Sequence, residues 1–251
     1  MRTKIALTKN VERLWYSARI LANSAHGIER MGLVSGVPGE GKSVAMDFVV
    51  DQMDGISLRI MQCTTVTSLL ASLATELRVS EKIRKSNRTA VLFQAVIDHL
   101  NERPRIIFVD EIDRVFAGAN QRNGNNIIEI LRDVHDVAHI PLILVGEENS
   151  AIAIQESGRF ARRITQWVNF SGIDRDDARI VADTVAEVRI ADDLLDHLYA
   201  EAGANIGRVI VGIDALERHG KDAGLEEVTL ETWGNGALFF DQKNFRKRGR
   251  S

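Results

Sequence analysis

The sequence predicts an α/β fold: a parallel five-stranded sheet sandwiched by helices, followed by a small C-terminal helical domain. Three observations point there. Short apolar runs alternate with helical patterns over residues 31–170, and parallel strands need the crossovers that helices supply. A glycine-rich turn joins the first apolar run directly to a helix. From Asp174 onward only helical periodicity remains.

Taken in order, residues 11–25 place Val11, Leu14, Trp15, Ala18, Leu21, Ala22 and Ala25 at three- and four-residue spacing, the pattern of an amphipathic helix. Residues 31–35 form the first strand, and 43–53 the helix after the glycine-rich turn. A second strand is expected at 56–63, a third at 105–110 after Pro104, a fourth at 142–146 after Pro141, and a fifth at 164–170. Helices at 66–77, 89–102 and 124–138 lie between them. Past a boundary near Gly172, helices at 174–187, 192–203 and 206–219 make a lid. The organisation expected is an N-terminal helical segment (1–28), a core (29–172), the lid (173–240) and a basic tail (241–251).

Composition narrows the function classes. With 45% hydrophobic and 27% charged residues among 251, the chain reads as an ordinary globular protein. No apolar run approaches the roughly 18 residues that cross a bilayer, and the N-terminus has no secretory apolar region, so the cytoplasm is the expected location and no membrane is expected as a partner. The single Cys63 ends an apolar run and is expected as a buried core thiol; it forms no intramolecular disulfide and no multi-cysteine metal site. A net charge of -3 does not announce a nucleic-acid binder, but the charge is uneven. Lys243, Arg246, Lys247, Arg248 and Arg250 crowd the tail with no acid among them.

Gly36-Val37-Pro38-Gly39-Glu40-Gly41-Lys42-Ser43 fits the phosphate-loop pattern G-x-x-x-x-G-K-[ST]. Without β-carbons, Gly36, Gly39 and Gly41 let the loop curl so that backbone N–H groups point inward at phosphate oxygens, and the helix that follows adds its dipole. Lys42 can reach the β- and γ-phosphates of ATP, while the Ser43 hydroxyl can ligate Mg²⁺. The partner motif is Ile106-Ile107-Phe108-Val109-Asp110-Glu111, a buried strand that delivers two carboxylates to the C-terminal end of the sheet, where ligands of such sheets bind. Asp110 is placed to hold Mg²⁺ through water, and Glu111 to polarise the attacking water.

The Asp-Glu pair beside a phosphate loop resembles the AAA+ ATPases over about residues 10–220. That resemblance implies nucleotide bound between a core and a lid, with an arginine supplied by a neighbouring subunit. The finger candidates are Arg159, Arg162 and Arg163 in Gly158-Arg159-Phe160-Ala161-Arg162-Arg163, with Arg159 matching best. Gly203-Ala204-Asn205-Ile206-Gly207-Arg208 looks like the start of the family's sensor-2 helix, which implies that Arg208 reaches back to the phosphates. The sequence departs from the family after the fourth strand. Val145-Gly146 is followed by Glu147, Glu148 and Asn149, where a carboxylate would repel phosphate; either Asn149 touches the γ-phosphate or Glu147 pairs with an arginine.

Within that group, the opening Ile5-Ala6-Leu7-Thr8-Lys9-Asn10-Val11, the Gly-x-Pro-Gly-x-Gly-Lys-Ser loop and Val109-Asp110-Glu111-Ile112-Asp113 resemble transposition protein B of Mu-like phages and related transposon regulators. This implies ATP-dependent assembly of the chain with itself, as ring or helical filament, on target DNA in a bacterial host cell, and delivery of that DNA to a partner transposase. Two other readings share the ATP residues: a replication-initiator or helicase-loader ATPase, and a non-hydrolysing ATP-gated scaffold. For DNA contact, Arg78, Lys82, Arg84, Lys85 and Arg88 gather positive charge around one acid, Glu81. The amide-rich stretch 118–126, with Arg122, is suited to phosphates and sugars. The first equally fits a solvated helix face and the second a flexible connection. No aromatic residues interleave with these charges, which favours double-stranded DNA over stacked single strands.

Overall fold

The computed structural model describes residues 1–25, 27–116, 121–234 and 236–239, and the side chains of Gln121, Arg122 and Arg159 lie outside the described residues. The chain opens with α1 (Lys9–Asn23), β1 (Met31–Ser35), α2 (Lys42–Met53), β2 (Ile56–Arg59), α3 (Val66–Glu76), α4 (Glu81–Arg84) and α5 (Thr89–Glu102). It continues through β3 (Ile107–Asp110), α6 (Asp113–Phe116), α7 (Gln121–Ala138), β4 (Leu142–Val145), α8 (Glu148–Glu156), α9 (Gly158–Ala161) and β5 (Ile164–Asn169). Then come α10 (Arg175–Val185), β6 (Arg189–Ile190), α11 (Asp192–Ala202), α12 (Ile206–Asp222), β7 (Glu227–Val228) and α13 (Leu230–Trp233).

These elements group into two compact units, one of Val11–Pro38 and Lys42–Phe170, the other of Met1–Asn10, Gly39–Gly41 and Ser171–Ser251. The larger unit holds a five-stranded sheet in the order β2-β3-β4-β1-β5, with every neighbouring pair parallel. Period-two alternation sorts its side chains into two cores. Leu33, Ile107, Val109, Leu142 and Leu144 pack with α3, α5 and α7, whereas Val34, Phe108, Ile143, Val145 and Val168 pack with α1 and α2. Helices on both faces explain why β3 and β4 read as unbroken apolar runs. Gly32 admits α1 closely, since a β-carbon there would lie 2.9 Å from Leu21 Cδ1.

In the other unit, Leu194, Leu195 and Leu198 of α11 meet Val209, Ile213 and Leu216 of α12 in a separate core. Asp174 caps α10 by accepting the Asp177 N–H, Asn205 caps α12 by accepting the Arg208 N–H, and Gly203 ends α11 in the left-handed region at φ 64°. The N-terminal residues join this unit through Lys9 N–H to Asp177 Oδ1 (3.0 Å) and Asn10 Nδ2 to the Ser171 carbonyl (2.8 Å). Gly39 belongs here too, its carbonyl accepting the Gly207 N–H at 3.1 Å.

Several expectations are corrected. The second strand ends at Arg59, not at residue 63, and Cys63 is exposed rather than a core thiol. The reason is a tight turn in which the Met61 N–H donates to Thr64 Oγ1 and the Thr64 N–H to the Met61 carbonyl, so that Met61, Gln62 and Cys63 face outward. The C-terminal region is not wholly helical: β6 and β7 pair in parallel through Arg189↔Glu227 and Ile190↔Val228. Two-residue strands carry too little alternation to register as a pattern. In the amide-rich stretch, residues 121–126 are the first turns of α7 rather than a loop. The basic segment likewise contains a helical turn, α4.

Candidate nucleotide site

The parallel strands β1 and β3 deliver their C-terminal residues to one end of the sheet, β1 to the loop that starts at Gly36 and β3 to Asp110 and Glu111. Two of the loop's glycines, Gly39 and Gly41, hold φ of 85° and 77°, which residues bearing a β-carbon rarely adopt. Lys42 opens α2, and its ammonium donates to the carbonyls of Gly36 (2.7 Å) and Val37 (2.9 Å).

The two motifs meet at Ser43 and Asp110. Ser43 Oγ donates to Asp110 Oδ2 at 2.8 Å, while Asp110 Oδ1 accepts the Glu111 N–H at 2.9 Å. Asp110 is buried. A hydroxyl and a buried carboxylate in contact, next to a lysine, form the hard-oxygen donor set that Mg²⁺ takes, and the glycine-rich curl fits phosphate oxygens. Asp47, one turn along α2 from Ser43, adds negative charge: burial, then the Asp110 and Asp51 carboxylates, push its own carboxyl up.

Glu111 departs from ordinary backbone at φ 59°. Its carboxylate is clamped: Oε1 accepts from Arg59 at 2.7 Å and Oε2 from Arg114 Nε at 3.0 Å. The Arg59 guanidinium holds the Glu111 carboxyl below the usual carboxylate range, with Arg114 adding to it and burial opposing both. Sequence reasoning missed Arg59. The signal was the strand register, which pairs Arg59 with Asp110 across β2 and β3 and becomes readable only once the strand is known to end there.

After β4, Gly146 leaves no room for a side chain, because a β-carbon would meet Ser150 Oγ at 2.6 Å and Ile112 Cγ2 at 2.8 Å. Glu147 then caps α8, its N–H donating to Asp113 Oδ1 at 3.3 Å and its carbonyl accepting from Ser150 Oγ at 2.6 Å. Asn149 is exposed, and among the described residues Glu147 makes no ion pair with an arginine. Buried Ser150 is the polar group that sequence reading passed over at this turn.

Of the arginines between β4 and β5, Arg163 is engaged inside its own unit by Glu29 and Asp136. Arg162 is exposed, and the Arg159 side chain lies outside the described residues. Arg208 stacks its guanidinium 4.2 Å over the Phe239 ring and donates to the Glu201 carbonyl at 3.3 Å. In the basic segment Lys82, Lys85 and Arg88 are exposed and Arg84 is half-buried, with Lys85 paired to Glu81. The Arg122 side chain, residues 118–120 and the tail from 243 lie outside the described residues. Among the described residues, no helix is long and apolar enough to cross a membrane.

The family profile described as an AAA domain matches residues 26–152. No curated protein sequence matches the chain significantly. Solved structures do. Cdc6p from Pyrobaculum aerophilum aligns at TM-score 0.63 and 15% identity, covering 88% of this chain and 64% of its own. The ORC2 protein of Aeropyrum pernix, in ADPNP–ADP complexes, aligns at 0.71 and 15%, covering 92% and 68%. The ORC1 protein of Aeropyrum pernix, in complex with DNA, aligns at 0.63 and 12%, covering 92% and 64%. The chain thus spans about two thirds of the length of these structures, and at such identities the likeness is one of fold.

Proposed function

Because this chain belongs to the AAA domain family, we propose that it is an ATPase that binds ATP with Mg²⁺ at residues 36–43 and assembles with itself on double-stranded DNA, in the manner of a replication initiator or helicase loader. The observation that carries the reading is the 2.8 Å hydrogen bond from Ser43 to Asp110, which joins the phosphate loop to the acidic strand end. ATP, when bound, supplies the γ-phosphoryl group, and Mg²⁺ offsets the charge on its oxygens. The protein's share is positioning and charge.

Lys42, which donates to the Gly36 and Val37 carbonyls, would instead donate to β- and γ-phosphate oxygens, and Ser43 and Asp110 are the residues that would hold the metal. Glu111 orients the attacking water, which requires it to leave Arg59. Arg159 and Arg162 are the better candidates for an arginine acting on a neighbouring subunit, since Arg163 is already ion-paired. Arg208 and Asn149 remain proposals as nucleotide contacts. Lys82, Arg84, Lys85, Arg88 and Arg122 are proposed to meet the phosphates of the duplex. The likeness to Cdc6p, ORC1 and ORC2 over 88–92% of the chain favours an initiator or loader partner over the transposase that the phage resemblance implies.

The test measures Mg²⁺-dependent ATP turnover with and without duplex DNA, and duplex binding with a slowly hydrolysed ATP analogue. Wild type should turn over ATP and bind DNA with nucleotide; Glu111→Gln should bind both without turnover; Lys42→Ala should lose nucleotide. ATP affinity in Lys42→Ala within about threefold of wild type would remove that lysine from the site. Wild-type DNA binding without turnover would instead make the protein an ATP-gated scaffold. Pull-downs against a replicative helicase and a transposase separate the partners.

A further inference from the structure

The opposite end of the sheet, where β1, β4 and β5 begin, carries a second cluster of chemistry-bearing groups. Glu29 precedes β1, His135 and Asp136 sit near the end of α7, and Arg163 precedes β5. They line a surface cavity of about 320 Å³. A five-residue strand such as β1 spans roughly 16 Å, so this cluster is separate from Ser43 and Asp110.

His135 is 95% buried, and its ring contacts pose a problem of charge. Nδ1 lies 2.7 Å from the Ile140 carbonyl, which can only accept, so Nδ1 carries a hydrogen. Nε2 lies 3.2 Å from Glu29 Oε2, which as a carboxylate oxygen also only accepts. A neutral imidazole would therefore aim its lone pair at a carboxylate lone pair. A cation shared between Nε2 and Oε2 removes the conflict, and Arg163 is not that cation: it donates to the other Glu29 oxygen, Oε1, at 3.3 Å and to Asp136 Oδ1.

We propose that Glu29, His135 and Asp136 bind a divalent transition-metal ion of the Zn²⁺ class, with water from the cavity completing the coordination. Imidazole and carboxylate donors suit such an ion. One donor atom from each of the three lies within 4.8 Å of the others. The 3.2 Å from Nε2 to Oε2 matches the ligand–ligand edge, about 3.4 Å, of a tetrahedron with bonds near 2.1 Å. The supporting contacts are also in place. The Ile140 carbonyl fixes the histidine tautomer that presents Nε2, and Arg163 orients both carboxylates. Arg132 Nε, 3.8 Å from Asp136 Oδ2, weakens that carboxylate as a donor, which leaves His135 and Glu29 as the principal ligands. The ion would tie the end of α7 to the entry of β1.

The test uses the full chain with Cys63→Ser, because the one exposed thiol is a competing ligand. Co²⁺ is titrated as a visible stand-in and then displaced by Zn²⁺. One equivalent should bind with d–d absorption, weakened at least about tenfold by Glu29→Gln and by His135→Gln, and unchanged by Asp110→Asn. Since His135→Gln removes a buried ring, nitrogen NMR of the unmutated His135 keeps the test open: Zn²⁺ should shift Nε2 and leave Nδ1 nearly still. Equal Co²⁺ binding in Glu29→Gln would overturn the site. So would an Nε2 that stays protonated and unmoved by Zn²⁺, because the shared cation would then be a proton.

Discussion

Gly124→Ala sets two physical effects against each other with opposite signs. Gly124 is buried in the second turn of α7, and a β-carbon there would stand 2.0 Å from the Val115 carbonyl oxygen. Carbon–oxygen contacts settle near 3.3 Å, so α6 and α7 would have to part by about 1 Å or more. Replacing an interior helical glycine with alanine gains about 1 kcal/mol from propensity. Overpacking costs about 1–3 kcal/mol, and the upper part of that range applies because the obstacle is backbone, which cannot rotate away. The net expectation is a loss of about 2 kcal/mol, a melting temperature lower by roughly 4–8 °C. Thermal denaturation followed by circular dichroism decides it: a variant as stable as wild type or more so would mean that propensity prevails and the close approach of α6 is wrong.

Glu217 offers a pH-dependent counterpart. Burial alone would raise its carboxyl, but hydrogen bonds from Lys221, the Met1 amino group and the Glu187 N–H bring it down to about 2. A folded value below the unfolded one contributes stability that is complete above about pH 4.5 and lost as pH falls toward 2; the shift sets an upper bound of about 3 kcal/mol. Glu217→Gln should therefore flatten the fall in denaturation midpoint between pH 5 and 2, with some slope remaining from Asp174, Glu187 and Asp192, whose carboxyls are also held low. An unchanged pH profile would deny Glu217 that role. Asn205→Ala, which deletes the cap of α12, should cost about 1 kcal/mol in urea denaturation, and a change under a few tenths would make the cap incidental. Arg59→Ala frees one side of Glu111 and should raise DNA-independent ATP turnover; a drop would make Arg59 part of the catalytic arrangement rather than a restraint on it.

The sheet was legible because its strands carry the two signals that sequence displays best, unbroken apolar runs and punctuation by proline. Pro104 and Pro141 stand before β3 and β4, and each run is long enough to fill both faces. Cys63 misled because Ile60, Met61 and Cys63 prolong the apolar character of the strand while the Thr64 hydroxyl, a side-chain-to-backbone contact, turns the chain. The pair β6–β7 was hidden by its brevity. At the site, Ser43 and Asp110 could be read from their motifs, and the structure brings them into contact. Arg59 and Ser150 could not, since each acquires its neighbour through tertiary register and a backbone turn, neither of which leaves a local pattern.

The alternation within β3 constrains how this chain can change over generations. Phe108 fills one core while Ile107 and Val109 fill the other, and Asp110 follows at a fixed step beyond them. A deletion or insertion of one residue before Asp110 would exchange the strand's two faces and carry the carboxylate away from Ser43 at the same stroke. Point substitutions among valine, isoleucine and leucine would be absorbed far more readily. Across such a strand, descendants should drift in composition while keeping its length residue for residue, and insertions should accumulate instead in connections such as the one between α4 and α5.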